Sequence, residues 1–199
     1  MKGRVIIVHG YNGQPEAGWL GWLAGELAAQ GYEVINPAMP ARRNPVVGDW
    51  VKVLKEAMGK PDKKTVILAH SMGCNVAMSY LSELGHGHTL FGHAARSFLR
   101  KRPARLAGLI VVSGFYASPG DKLYGYFGPV PDFKLINSMT KHRICIYSDN
   151  DHIVKPEQSK ALAEALDAKT IELHKRGHMV YTDGANHPEL LAAIQDCFK

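Results

Sequence analysis

The 199-residue chain carries 24 Lys and Arg against 18 Asp and Glu, a formal net charge of +6, and only three cysteines. That length suits one domain, 1–199, with a three-layer core that buries roughly 70% of its unfolded surface. Cys74, Cys145 and Cys197 are odd in number and lack C-x-x-C spacing, which argues against a disulfide framework and a structural zinc and for a reducing compartment.

The positive excess is concentrated between Arg96 and Arg105 without an interleaved aromatic series or a recognised binding motif, so it reads as solvated helix and loop and not as a nucleic-acid surface. The first apolar run, Arg4-Val5-Ile6-Ile7-Val8, starts close to Met1, leaving little room for a secretory leader, so a cytoplasmic location is expected. The longest apolar runs, such as Leu106 to Val112, are too short to span a bilayer.

In chain order, strands are expected at residues 4–8, 32–36, 65–70, 107–113, 143–147 and 170–174. Each is mostly apolar and not alternating, as in strands covered on both faces. Helical spacing appears between them. Residues 16–30 carry Trp19, Leu20, Trp22, Leu23 and Leu27, with Gly31 as the stop; residues 46–58 place Val47, Trp50, Val51, Leu54 and Met58 on one stripe. Further helices follow residue 71, run over 155–166 with Pro156 in the first turn, and close the chain at 187–198. This alternation predicts an α/β fold, a three-layer α/β/α sandwich with about six mostly parallel strands. Segments 85–103 and 115–133 break the alternation near strand ends and are expected to form a small cap or gate.

The pentad Ala69-His70-Ser71-Met72-Gly73 joins the run Thr65-Val66-Ile67-Leu68 to a helical pattern. A strand, a very tight turn and a helix force the apex serine into a strained backbone and require small residues two positions either side, where Ala69 and Gly73 stand. The turn lifts the hydroxyl clear of the sheet and faces it with the N–H groups of the following helix. A serine hydroxyl attacks only when a histidine takes its proton and a carboxylate holds that histidine. Both types follow at strand ends: Ser148-Asp149-Asn150-Asp151-His152, then Arg176-Gly177-His178-Met179.

Val8-His9-Gly10-Tyr11, Trp19-Leu20-Gly21-Trp22, Ala38-Met39-Pro40, the Ser71 pentad, Asp151-His152-Ile153-Val154 and Gly177-His178 together resemble the small α/β-hydrolases of the retinoblastoma-binding protein nine and YdeN-like serine hydrolase family. The resemblance spans nearly the whole chain. It implies a compact hydrolase without a large lid, with Ser71, Asp151 and His178 as the triad and the backbone N–H groups of Tyr11 and Met72 as the oxyanion hole. His9, Gly10 and His70 become candidates for substrate contact. The family pattern sets the acid just ahead of an x-Ile/Val-Val segment, favouring Asp151 over Asp149, which is expected to cap the turn. Gly177 permits the turn that aims His178 at the serine, whereas His174 is expected within a strand, His152 in the acid turn and His187 at the start of the last helix.

His86, His88 and His93 could hold a metal only with further ligands, and neither cysteine nor carboxylate joins them, so a loop is expected. No cofactor is called for: G-x-G-x-x-G and G-K-[ST] are absent. Trp19 and Trp22 read as core, with one of them at the edge of an acyl pocket as the other option. Cys74 reads as packing. The expected function is a serine hydrolase of small carboxylic esters, with amide or thioester substrates as alternatives. A non-catalytic protein-interaction module on the same scaffold, with a protein partner, is the rival from a different class.

Overall fold

In the computed structural model, which describes residues 1–86, 105–116, 127–181, 184 and 186–199, the runs at 4–8, 65–70, 106–112 and 140–148 become inner strands, whereas those at 33–35 and 169–173, expected to be covered on both faces, lie at the two edges of the sheet with exposed residues. The order is β1 (Arg4–Val8), α1 (Trp19–Ala29), β2 (Glu33–Ile35), α2 (Val47–Met58), β3 (Thr65–His70), α3 (Met72–His86), β4 (Leu106–Val112), α4 (Phe133–Met139), β5 (Thr140–Ser148), α5 (Pro156–Ala165), β6 (Lys169–Leu173) and α6 (Pro188–Cys197). All strand pairs are parallel, in the spatial order β2-β1-β3-β4-β5-β6. Every residue of β3 and β4 is buried.

The side-chain period of two divides each strand between two cores. Val5, Ile7, Val66, Leu68, Ile110 and Val112 face α1 and α6, where Leu20, Leu23, Leu27, Leu190 and Ile194 meet them. Ile6, Val8, Ile67, Ala69, Leu109 and Val111 face the layer that contains α2, α3, α4 and α5. Packing, not capping, holds α2: its N-cap Val46 makes no side-chain cap bond, while Val47, Trp50, Val51, Leu54 and Met58 are buried, each stabilising by roughly 1.5–3 kcal/mol. No helix among the described residues is long and apolar enough to cross a membrane.

The departures from expectation have local causes. α1 starts at Trp19 and not at Glu16, because the chain first turns with Ala17 N–H donating to Gln14 O, and Gly18 then takes φ 50°. A Cβ on Gly18 would lie 2.0 Å from Tyr181 O, so the helix start is pinned against the loop after β6. α4 has no counterpart among the expected helices; Asp132 caps it by accepting Leu135 N–H at 3.0 Å, and it feeds directly into β5, which therefore begins at Thr140 and not at Arg143. Of the expected cap segments, residues 87–104 and 117–126 lie outside the described residues; Gly85 and His86 are the last turn of α3, and 127–133 lead into α4.

The sheet also makes room for the turn after β3. A Cβ on Gly73 would meet Val8 O at 2.5 Å and His9 O at 2.6 Å, both backbone atoms that cannot rotate away. We expect Gly73→Ala to lower unfolding stability by about 3 kcal/mol, at the upper end of overpacking costs. Urea melts of the two proteins measure this, and a loss below about 1 kcal/mol would mean that α3 shifts freely against β1.

Candidate active site

The parallel strands bring the loops after β1, β3, β5 and β6 to one edge. Ser71 sits between β3 and α3 at φ 52°, and its N–H donates to Val112 O at 2.8 Å, so the strained residue is tied to the neighbouring strand. A non-glycine residue held at positive φ costs about 1 kcal/mol or more and persists only where surroundings enforce it. Here Gly73 and the β4 bond do so.

His178 Nε2 lies 2.9 Å from Ser71 Oγ, and His178 Nδ1 lies 2.7 Å from Asp151 Oδ2. The other oxygen, Asp151 Oδ1, accepts Ile153 N–H and Val154 N–H, each at 2.9 Å. Burial raises the Asp151 carboxyl, but the hydrogen bond and charge of His178 and the two amides outweigh it and hold the group below its ordinary range. Ser71, Asp151 and His178 are thus brought into one hydrogen-bonded chain, all three buried.

Asp149 does more than cap its turn. It accepts Lys175 N–H at 2.8 Å and pairs with His174 Nδ1 at 2.6 Å, while Asn150 Oδ1 accepts Gly177 N–H and Ser148 Oγ accepts Arg176 N–H, both at 2.8 Å. These bonds lace the loop after β5 to the loop after β6 and hold Asp151 in register with His178. His174, expected inside a strand, lies just past β6 with its side chain 76% exposed, because β6 ends at Leu173. His152 is exposed, and His187 is fully buried at the N-cap of α6 against Trp19.

Two side chains pin the backbone around His178. His70 Nε2–H donates to His178 O at 2.9 Å, and Trp19 Nε1–H donates to Met179 O at 2.7 Å. Since a carbonyl only accepts, His70 Nδ1 is the acceptor in its uncharged ring, taking the Tyr181 O–H at 2.7 Å, while Gly10 N–H donates to Tyr181 Oη. Burial, reinforced by the nearby His178, pushes His70 down to about 3. Trp19 is therefore core and loop clamp at once, and it does not line the cavity described below. Sequence reasoning missed Tyr181; its partners His70 and Gly10 are far away along the chain.

A histidine whose folded pKa is depressed contributes stability above its unfolded value and loses it as pH falls. For His70 that loss runs from about pH 6.5 downward, at no more than about 1.4 kcal/mol per pH unit for one proton. We expect acidification from pH 6.5 to 4.5 to destabilise the wild type, and His70→Gln to show a shallower slope. Parallel slopes in urea melts would contradict an uncharged His70. His9 is lowered too, by burial and then by Arg42 against the opposing Gly10 bond, and supplies a residual slope.

His9 corrects a further expectation. Its ring donates from Nδ1 to Gly10 O at 2.8 Å and accepts Met39 N–H at Nε2, edge-on to Trp50, so it fastens the loop after β2 and does not line the cavity. Gly10 also lies behind the wall; a Cβ there would stand 2.9 Å from Ser71 Cβ. Of the three candidate substrate contacts only His70 lines the cavity.

Amide accounting in the loop after β1 singles out one donor. Gly10 N–H is taken by Tyr181, Asn12 N–H by Arg42 O and Gly13 N–H by Gly10 O, whereas Tyr11 N–H has no acceptor among the described residues. Met72 opens α3, so its N–H has no partner within that helix. Ser71 opens on a cavity of about 760 Å3 whose walls include Tyr11, Met72, His178 and Tyr181.

Cys74 donates to Ala69 O at 3.2 Å, is fully buried and has its thiol pKa pushed up by burial, as fits packing. His86 lies 3.3 Å from Asp132 Oδ2, and His88 and His93 fall outside the described residues.

This sheet, with a serine on the strand-to-helix turn and a histidine and carboxylate on neighbouring strand ends, defines an α/β-hydrolase. More narrowly, the chain belongs to the serine hydrolase family, whose profile matches residues 5–195. YdeN of Bacillus subtilis is 33% identical over 187 residues, covering 92% of this chain and 90% of its own, and the crystal structure of the ydeN gene product superposes with a TM-score of 0.81 over 98% of both chains at 29% identity. The serine hydrolase RBBP9 of Rattus norvegicus is 26% identical over 186 residues, 90% of this chain and 89% of its own. Est1E from Butyrivibrio proteoclasticus shares the fold at a TM-score of 0.64 and 16% identity, over 98% of this chain and 86% of its own.

Proposed function

We propose that the protein hydrolyses small carboxylic esters through an acyl-enzyme on Ser71. The observation that carries this reading is the continuous chain from Ser71 Oγ through both ring nitrogens of His178 to Asp151, opening on a cavity. Ser71 Oγ bonds to the ester carbon as His178 Nε2 takes its proton. Asp151 stays ionised, holds the Nδ1–H tautomer and stabilises the imidazolium. The N–H groups of Tyr11 and Met72 receive the negative charge that develops on the carbonyl oxygen. The carbon–oxygen bond to the alcohol then breaks, and His178 returns its proton to the leaving oxygen. Water repeats the sequence on the acyl-enzyme, His178 acting again as base, and releases the acid.

Incubation with a fluorophosphonate probe followed by peptide mass spectrometry tests the reading. The expected adduct is on Ser71 and depends on His178, so that His178→Ala labels far more slowly. Folded wild-type protein that takes no label would overturn it.

A further inference from the structure

The cavity above Ser71 is polarised along the edge of the sheet. Because β3 lies between β1 and β4, the loops after β1 and β2 fall on one side of the serine and those after β4 and β5 on the other. The first side contributes Asn12, Gln14, Arg42 and Arg43; the second contributes Phe115, Ile153, Val154 and Gln158, whose amide oxygen is taken by Lys155 N–H. One end of the cavity is therefore lined by two arginines and two amide side chains and the other mainly by hydrocarbon.

Neither arginine is needed to build the loop that carries it. The loop is tied down by backbone carbonyls: Arg42 O accepts Asn12 N–H at 2.9 Å, and Arg43 O accepts the Tyr11 hydroxyl at 3.1 Å. Among the described residues the side chains meet neutral groups, Arg43 Nε donating to Asn12 Oδ1 at 3.3 Å and the Arg42 guanidinium facing the Gln14 amide. Among the described residues neither has a carboxylate within ion-pair distance, although Arg42 is half-buried. Two adjacent cations in a cavity wall with no counter-charge among the described residues repel each other and favour an anion, and the planar guanidinium fork matches carboxylate or phosphate oxygens.

We propose that the substrate is bipartite: an ester whose scissile carbonyl separates an apolar group, seated against Phe115, Ile153 and Val154, from an oxyanion, carboxylate or phosphate, held by Arg42 and Arg43. This rests on the reading of Ser71 as the nucleophile and adds the substrate class to it. Ser71 lies between the two ends, on the turn after β3.

Matched esters test the proposal. With the charge on the leaving side, para-carboxyphenyl butyrate and para-phosphophenyl butyrate are compared with the neutral para-carbamoylphenyl butyrate. With the charge on the acyl side, the para-nitrophenyl monoester of glutaric acid is compared with that of its monoamide. In at least one series kcat/KM for a charged ester is expected to exceed its neutral counterpart about tenfold, mainly through KM and less so as salt rises. The series showing the preference assigns the anion to the acyl or the leaving group, and the ranking of the two charged butyrates separates carboxylate from phosphate. In the double variant Arg42→Gln, Arg43→Gln the ratio should fall to about one, and Arg42→Lys, Arg43→Lys should restore part of it. Equal rates for charged and neutral esters, or a preference that survives the Gln variant, would overturn the bipartite substrate while fluorophosphonate labelling of Ser71 persists. Absence of that labelling and of all ester turnover would overturn both readings.

Discussion

Ser71→Ala is expected to reduce ester turnover by roughly 10^4- to 10^6-fold, because the attacking oxygen is gone and what remains is substrate binding and the oxyanion donors. The same change should leave thermal stability within about 0.5 kcal/mol, since alanine keeps the backbone bond to Val112 O and inherits the same positive φ. Ser71→Gly is the informative companion. It removes the nucleophile equally and also relieves the strained backbone, so it should be more stable than wild type by up to about 1 kcal/mol. Steady-state assays with a para-nitrophenyl ester beside urea melts measure both quantities. Turnover by Ser71→Ala within tenfold of wild type would mean that another group attacks the carbonyl.

Asp151→Asn should cost roughly 10^3- to 10^4-fold in kcat with little loss of structure. The substituted side chain keeps an oxygen for Ile153 N–H and Val154 N–H, so the turn survives. Its amide nitrogen then faces His178 Nδ1 and donates to it, which shifts the ring proton to Nε2, the nitrogen that faces Ser71 Oγ. That tautomer cannot accept the serine proton. Rate measurements across pH, with near-identical melts for the two proteins, check this; a loss below about tenfold would mean that Asp151 holds the loop and does not orient the base. Asp149→Asn, by contrast, should act on stability through the Lys175 and His174 contacts.

The elements and their order are legible along the chain because they are written in local patterns. Apolar runs of strand length mark the strands, though not that β2 and β6 lie exposed at the sheet edges, and the small residue Gly73 after Ser71 marks a turn made in close backbone approach to β1. Chain order then places Ser71, Asp151 and His178 at the ends of parallel strands, on a common edge. Short α4 escapes because seven residues show too little periodicity, and its cap at Asp132 follows a Gly- and Pro-rich stretch.

What the other polar side chains do emerges only once the sheet edge is packed. His9 and His70 look alike in sequence, each at a strand end before a turn, yet His9 fastens Met39 and His70 fastens His178. Trp19 reads as an ordinary core residue until its indole N–H reaches Met179 O, and Tyr181 carries no signal at all until it bridges Gly10 and His70. Nothing along the chain singles out Arg42 and Arg43, which gain a setting only when the β2 loop folds beside the β1 loop. Most of these contacts are single hydrogen bonds between residues far apart in the chain, made to backbone atoms that every residue possesses. They leave no periodicity and no residue-type pairing behind, so three-dimensional packing is what reveals them.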